Sequence, residues 1–141
     1  MIEKQDFYHG AALARLVDDG RCLSIARHSF GYLINDELFV LIKYSTKGRS
    51  PWGFAFSEDD ISRITKLSET KIFIAFVCGG DGVCVVPQTQ ILSLLQQKPG
   101  WISAKRLSNK AYAVSGPAGS LKHKVPMNRW PSILYLSEEI E

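Results

Sequence analysis

Residues 38–56 read LFVLIKYSTKGRSPWGFAF, and the chain is organised around this stretch. From Leu38 to Tyr44 both faces are apolar: Leu38, Val40, Ile42 and Tyr44 point one way, Phe39 and Leu41 the other. A strand covered on both sides sits centrally in a sheet. In the second arm, Trp52 to Phe56, large residues alternate with small. Trp52, Phe54 and Phe56 share one face, while Gly53 and Ala55 leave room on the other for a close-packed element. Gly48 and Pro51 supply turn chemistry between the arms. The expectation is a hairpin with Lys43, Lys47 and Arg49 at its mouth, beside the hydroxyls of Ser45, Thr46 and Ser50.

Such an insert has two readings. Lysine is a point charge, arginine a fork suited to phosphate or carboxylate, and hydroxyls donate readily, so the insert is a candidate anion site. The alternative is a solvated tip whose cations keep the turn soluble and protect an edge. It is not a phosphate-binding P-loop, which needs more glycines, a Gly-Lys-Ser/Thr ending and a following helix.

Moving outward, the remaining signals describe an α+β chain: a mixed, mostly antiparallel sheet with two or three helices in a single domain over residues 1–141. A first helix is expected from Asp6 to about Asp19, with Tyr8, Ala12, Leu16 and Val17 as its apolar stripe and Gly20 as its stop. Residues 22–28 and 29–34 read as short strands, with Asn35-Asp36 turning into the central one. Ser57 caps a helix reaching about Glu69. Its first-turn acids Glu58, Asp59 and Asp60 suit the positive end of the dipole, which explains them without a metal. Lys71 to Cys78 is a second two-sided apolar strand; Gly79-Gly80-Asp81-Gly82 turns it into Val83 to Val86.

Thr89 to Gln97 forms a short helix ending before Pro99-Gly100. Trp101–Arg106 and Ala111–Ser115 pair as a hairpin, and residues 116–119 turn again. Leu121 to Val125 alternates, with Lys122 and Lys124 on one face. The remainder, containing Pro126, Trp130 and Pro131, is expected to wrap irregularly over the surface.

A length of 141 residues and 45% apolar content allow a real core. The formal charge is +3. Residues 101–130 carry Lys105, Arg106, Lys110, Lys122, Lys124 and Arg129 and no carboxylate, whereas Glu138, Glu139 and Glu141 crowd the last four positions. A basic face with an acidic tail suggests an anionic partner. No stretch approaches the roughly 18 apolar residues of a membrane helix, so no membrane partner is expected. The segment MIEKQDFYHG is too polar and acidic for a signal peptide. Three cysteines, an odd number, argue against a disulfide framework and for a reducing cytoplasm. Cys78 and Cys84 flank a turn, but no second Cys or His pair completes a zinc set. No nucleophile–base pair, dinucleotide fingerprint or cofactor motif is present, so catalytic residues and cofactors are not expected.

The order helix, three-strand meander, helix, strand across residues 6–78 is similar to the core of the restriction-endonuclease-like PD-(D/E)XK nucleases. That resemblance implies acids binding magnesium and a lysine steadying the attacking water. Asp36 would stand for the first acid and Lys43 for the lysine. Leu41 occupies the place of the second acid, so the resemblance implies a degenerate, non-cleaving relative. Two functions follow. One is nucleic-acid binding through Lys43, Lys47, Arg49, Lys105, Arg106, Lys122 and Lys124; Trp101 and Tyr112 read first as core residues and second as aromatics for stacking. The other is an accessory protein that forms a homodimer through sheet edges. A divergent magnesium-dependent nuclease is a third.

Overall fold

The computed structural model describes residues 1–67 and 71–136. Across these residues the fold is α+β, with three helices and two sheets. The first sheet has the order β1-β2-β3-β5-β6: β1 Ile25–His28, β2 Gly31–Ile34, β3 Leu38–Ser45, β5 Lys71–Cys78 and β6 Gly82–Pro87. The second has the order β4-β7-β8-β9: β4 Trp52–Phe56, β7 Gly100–Lys105, β8 Ala113–Gly116 and β9 Gly119–Ser120. Helices α1 Lys4–Asp18, α2 Glu58–Thr65 and α3 Gln88–Leu95 pack on these, and two 3-10 turns follow at Met127–Arg129 and Ser132–Tyr135.

β3 is central, as its two-sided pattern requires. It pairs antiparallel with β2 and parallel with β5, from Leu38↔Lys71 to Ser45↔Cys78. Asn35 and Asp36 both have positive φ, 54° and 59°, which is the backbone of a tight hairpin turn into β3. The alternation along β3 and β5 divides the interior into two cores. Phe39, Leu41, Ile74, Phe76 and Cys78 face the second sheet, α2 and α3. Leu38, Val40, Ile42, Phe73 and Ala75 face α1 and the 3-10 segment.

The expected hairpin between residues 38–44 and 52–56 does not form. β4 leaves the first sheet and pairs instead with β7, Trp52↔Ala104 through Phe56↔Gly100. The insert is therefore a crossover between sheets. Trp52, Phe54 and Phe56 do face inward. Gly53 and Ala55 lie exposed on the opposite face, with no element packed against them. A period-2 pattern states which face is buried and not which strand lies alongside.

Other boundaries shift for identifiable reasons. α1 begins at Lys4, and Asp6 acts from inside it: its carboxylate accepts the Glu3 N–H at 2.9 Å. Ala12 and Leu16 are buried, but Val17 is 69% exposed, off the buried stripe. The first strand starts at Ile25, because residues 21–24 are tied to Asn35, whose side chain accepts from the Leu23 and Ser24 N–H groups. α2 ends at Thr65 with Lys66 as its C-cap; the expected endpoint, Glu69, lies outside the described residues, as does the acidic stretch 138–141. α3 ends earlier than expected, at Leu95, where Gln96 and Gln97 both take left-handed backbone. Residues 121–125 form no full strand. Val125 makes a single bridge to Tyr112, and Lys122, His123 and Lys124 are all exposed.

The last described segment is not a surface wrapping. Trp130 is buried and its Nε1–H donates to the Ala12 carbonyl at 3.1 Å, clamping α1 to the first sheet. Lys71 Nζ donates to the Leu136 carbonyl at 3.0 Å and anchors the same segment to β5. No helix among the described residues is long and apolar enough to cross a membrane.

Candidate functional site

Three loops meet at one end of the molecule. They are the crossover 46–51, the β5–β6 turn at 79–81 and the β7–β8 loop at 106–112. The Arg106 N–H donates to Ser50 Oγ at 2.9 Å, joining the first to the third. The Gly79 N–H donates to the Ser45 carbonyl at 2.9 Å, and Trp52 Nε1 donates to the Lys47 carbonyl at 3.0 Å. Gly79 has a φ of +55°, and a Cβ there would collide with the Lys47 carbonyl, so glycine is required.

Asp81 sits at the centre of this junction. Its carboxylate accepts from Arg106 Nε at 2.7 Å, from Arg106 Nη2, and from the Tyr112 hydroxyl at 2.7 Å. The guanidinium of Arg106, helped by the Tyr112 hydroxyl, holds the Asp81 carboxyl below its ordinary value despite partial burial. Tyr112 is pushed upward by burial first and by its bond to Asp81 second. Asp81 thus acts as a structural acceptor that ties the β5–β6 turn to both ends of the β7–β8 loop.

The predicted cations separate into two groups. Lys43 and Arg106 are held in ion pairs. Lys43 continues the inward face of β3 beyond Leu41, at the point where the apolar core ends. Its Nζ lies 3.0 Å from Asp60 Oδ2, donates to the Ala55 carbonyl at 2.8 Å and stands 4.6 Å from the Phe56 ring centre. Asp60 also accepts the Ser57 N–H at 2.9 Å, so one carboxylate caps α2 and pairs with β3. Burial alone would raise its pKa; the Ser57 N–H and the Lys43 ammonium outweigh that and lower it.

Lys47, Arg49 and Lys110 are exposed on the loops that the Ser50–Arg106 and Asp81 contacts hold together, and Lys105 is exposed at the end of β7 next to Arg106. Lys122 and Lys124 are exposed farther along, beyond β8. Among the described residues, none of these six makes an ion pair. Of the two aromatics considered for stacking, Trp101 is 50% exposed, on the outer face opposite Ala55, whereas Tyr112 is fully buried. Asp36 is exposed at the β2–β3 turn, and Leu41 is buried. Cys78 and Cys84 are buried and unpaired with each other. Burial, with Asp81 adding to it, pushes the Cys78 thiol up to about 12.

A second feature is not legible in the sequence. A cleft of about 370 Å³ opens where β3 and β4 lie beside each other without pairing, lined among others by Gln5, His9, Arg27, Phe30 and Tyr44. Arg27 is held by a cross-strand pair with Tyr32, its guanidinium 4.9 Å from the ring centre. His9 Nδ1 lies 2.9 Å from the Tyr32 hydroxyl, and burial, then Arg27, lower its pKa. The signal for Arg27 is the Arg27–Tyr32 spacing around a two-residue turn, which becomes readable only once that turn is placed at Ser29-Phe30. No family model, curated protein or solved structure matches the chain.

Proposed function

We propose that this protein binds the phosphate backbone of nucleic acid, without catalysis, through the loop junction that carries Lys47, Arg49, Lys105 and Lys110. The observation that carries the reading is the Ser50–Arg106 hydrogen bond together with the Asp81 network. These contacts hold two basic loops side by side, and the one carboxylate among them is neutralised by Arg106. Among the described residues, none of these exposed lysines, nor the arginine, makes an ion pair. Arg106 supports the junction and Lys43 ties β3 to β4 and α2; neither contacts the ligand. Lys122 and Lys124 extend the basic surface past β8.

The nuclease alternative draws no such support. The lysine it requires is paired with Asp60, Asp36 stands at a turn, and a buried leucine takes the second acid's position.

Binding through phosphates is steeply salt-dependent, because each neutralised phosphate releases counterion. The test is a titration of an oligonucleotide at two salt concentrations with the wild type and a Lys47→Glu, Arg49→Glu double variant. Both residues are exposed, so the fold is retained. The expected result is binding at low salt that weakens in the variant, with a salt slope shallower by roughly one for each phosphate that is no longer neutralised. Absent binding at low salt, or equal binding by the variant, overturns the proposal.

A further inference from the structure

We propose that the cleft between β3 and β4 is a second, separate ligand site, and that it takes a small carboxylate carrying an amide: an N-acyl amino acid. Three features of the cleft call for three parts of such a molecule.

The first is charge. Arg27, His9 and Lys43 line the cleft, and no carboxylate does. Lys43 is neutralised by Asp60, and burial favours the neutral form of His9, which leaves Arg27 as the permanent cation of the cleft without an ion pair. Arg27 has no ion pair among the described residues. Its guanidinium lies over the Tyr32 ring, and its planar donor fork matches a carboxylate. One net positive charge selects a monoanion over a phosphate dianion.

The second feature is an open strand edge. The β2–β3 register ends at Tyr32↔Val40, whereas β3 runs on to Ser45 with only β5 beside it. Beyond Val40 the edge of β3 turned away from β5 therefore has no strand hydrogen-bonded to it, and an amide can satisfy that edge as a strand would. On the other wall the Ala55 carbonyl is already taken by Lys43. The ligand is thus directed toward β3.

The third feature is aromatic surface. Tyr44 is half-buried on the α1 side of the cleft and stiffened by stacking on Tyr8 at 4.9 Å and 4°, while Phe30 flanks the other side, packed on Phe39. An apolar acyl group has a surface to lie on there, and about 370 Å³ is within the size range of small-molecule sites.

The probe is hippurate, N-benzoylglycine, followed by chemical-shift perturbation, with its neutral primary amide as control. Saturable shifts are expected at His9, Phe30 and Tyr44, and the neutral amide should bind at least about tenfold more weakly, or about 1.4 kcal/mol. Arg27→Met keeps the stem over Tyr32 and removes the charge; it should weaken hippurate by a similar factor. Gly53 lines the cleft, and nothing stands within 4 Å of a Cβ added there, so Gly53→Val narrows the cleft without disturbing Arg27 and should also weaken binding. The Lys47→Glu, Arg49→Glu variant should bind hippurate as the wild type does, which keeps this site distinct from the nucleic-acid surface. Equal binding of the neutral amide, unchanged affinity in both cleft variants, shifts confined to residues 46–51, or no saturable binding overturns the proposal.

Discussion

Lys43 is the one charged residue of β3, and read alone it looks like a charge delivered for a ligand. The structure gives it a different role. Its ammonium joins three elements: the end of β3 from which it projects, the Ala55 carbonyl on the outer edge of β4, and the Asp60 carboxylate in the first turn of α2. An edge strand with an unoccupied carbonyl invites another strand, and a lysine placed on it blocks that pairing. Asp60 is legible as a helix-capping acid from its place three residues after Ser57. Its second bond to Lys43 is not, because the partners lie 17 residues apart and belong to different layers. Arg106 and Asp81 repeat the lesson over 25 residues. Charge can be read from a sequence; whether a charge is already neutralised depends on the tertiary fold. Lys43→Met retains the stem against Phe56 and removes the ion pair. Because the pair is partly exposed, the expected loss of stability is about 1 kcal/mol by chemical denaturation. Nucleic-acid affinity should stay unchanged; a drop comparable to that of the Lys47→Glu, Arg49→Glu variant would place Lys43 in the interface.

β3 and β5 are legible almost to the residue, because a strand buried on both faces has a continuous apolar run with few alternatives. β4 is legible as an element with an inward aromatic face, yet its neighbour is not. Proximity in sequence favours β3, whereas the partner, β7, begins 44 residues after Phe56 and offers Ile102 and Ala104 to the same core. The turn residues Gly48 and Pro51 are equally compatible with a hairpin and with a crossover, so local chemistry does not decide. The centrality of β5 has a measurable consequence. Ile74 is fully buried, pairs with Leu41 on one side and Val86 on the other, and sits in the core shared by both sheets. Ile74→Ala should cost about 2–5 kcal/mol, because the surrounding strands are held by their ladders and cannot collapse into the void. A loss below about 1 kcal/mol in urea unfolding would mean that the strand is peripheral.

At the scale of the whole molecule, the first sheet is shared by two cores, and each is closed by a different part of the chain. Two carboxylates tie the second sheet and α2 to the first: Asp60 through Lys43, and Asp81 through Arg106 and Tyr112. Both have folded pKa values below the ordinary 3.8. A depressed carboxylate contributes stability that is fully present above its unfolded value and is lost as pH falls through its folded value. The stability of this protein should therefore hold from neutrality to about pH 4 and decline steeply below 3.8, and Tyr112→Phe should begin that decline from a lower plateau. Urea midpoints followed down through the carboxylate range check this; a flat profile there would mean that neither bond stabilises the fold. The other core is closed by Trp130, whose indole reaches back 118 residues to the Ala12 carbonyl. During synthesis that distance becomes a delay: α1 can meet β3 and β5 once Cys78 has been made, but the Trp130 clamp on Ala12 forms only after 118 further residues have followed Ala12 out of the ribosome.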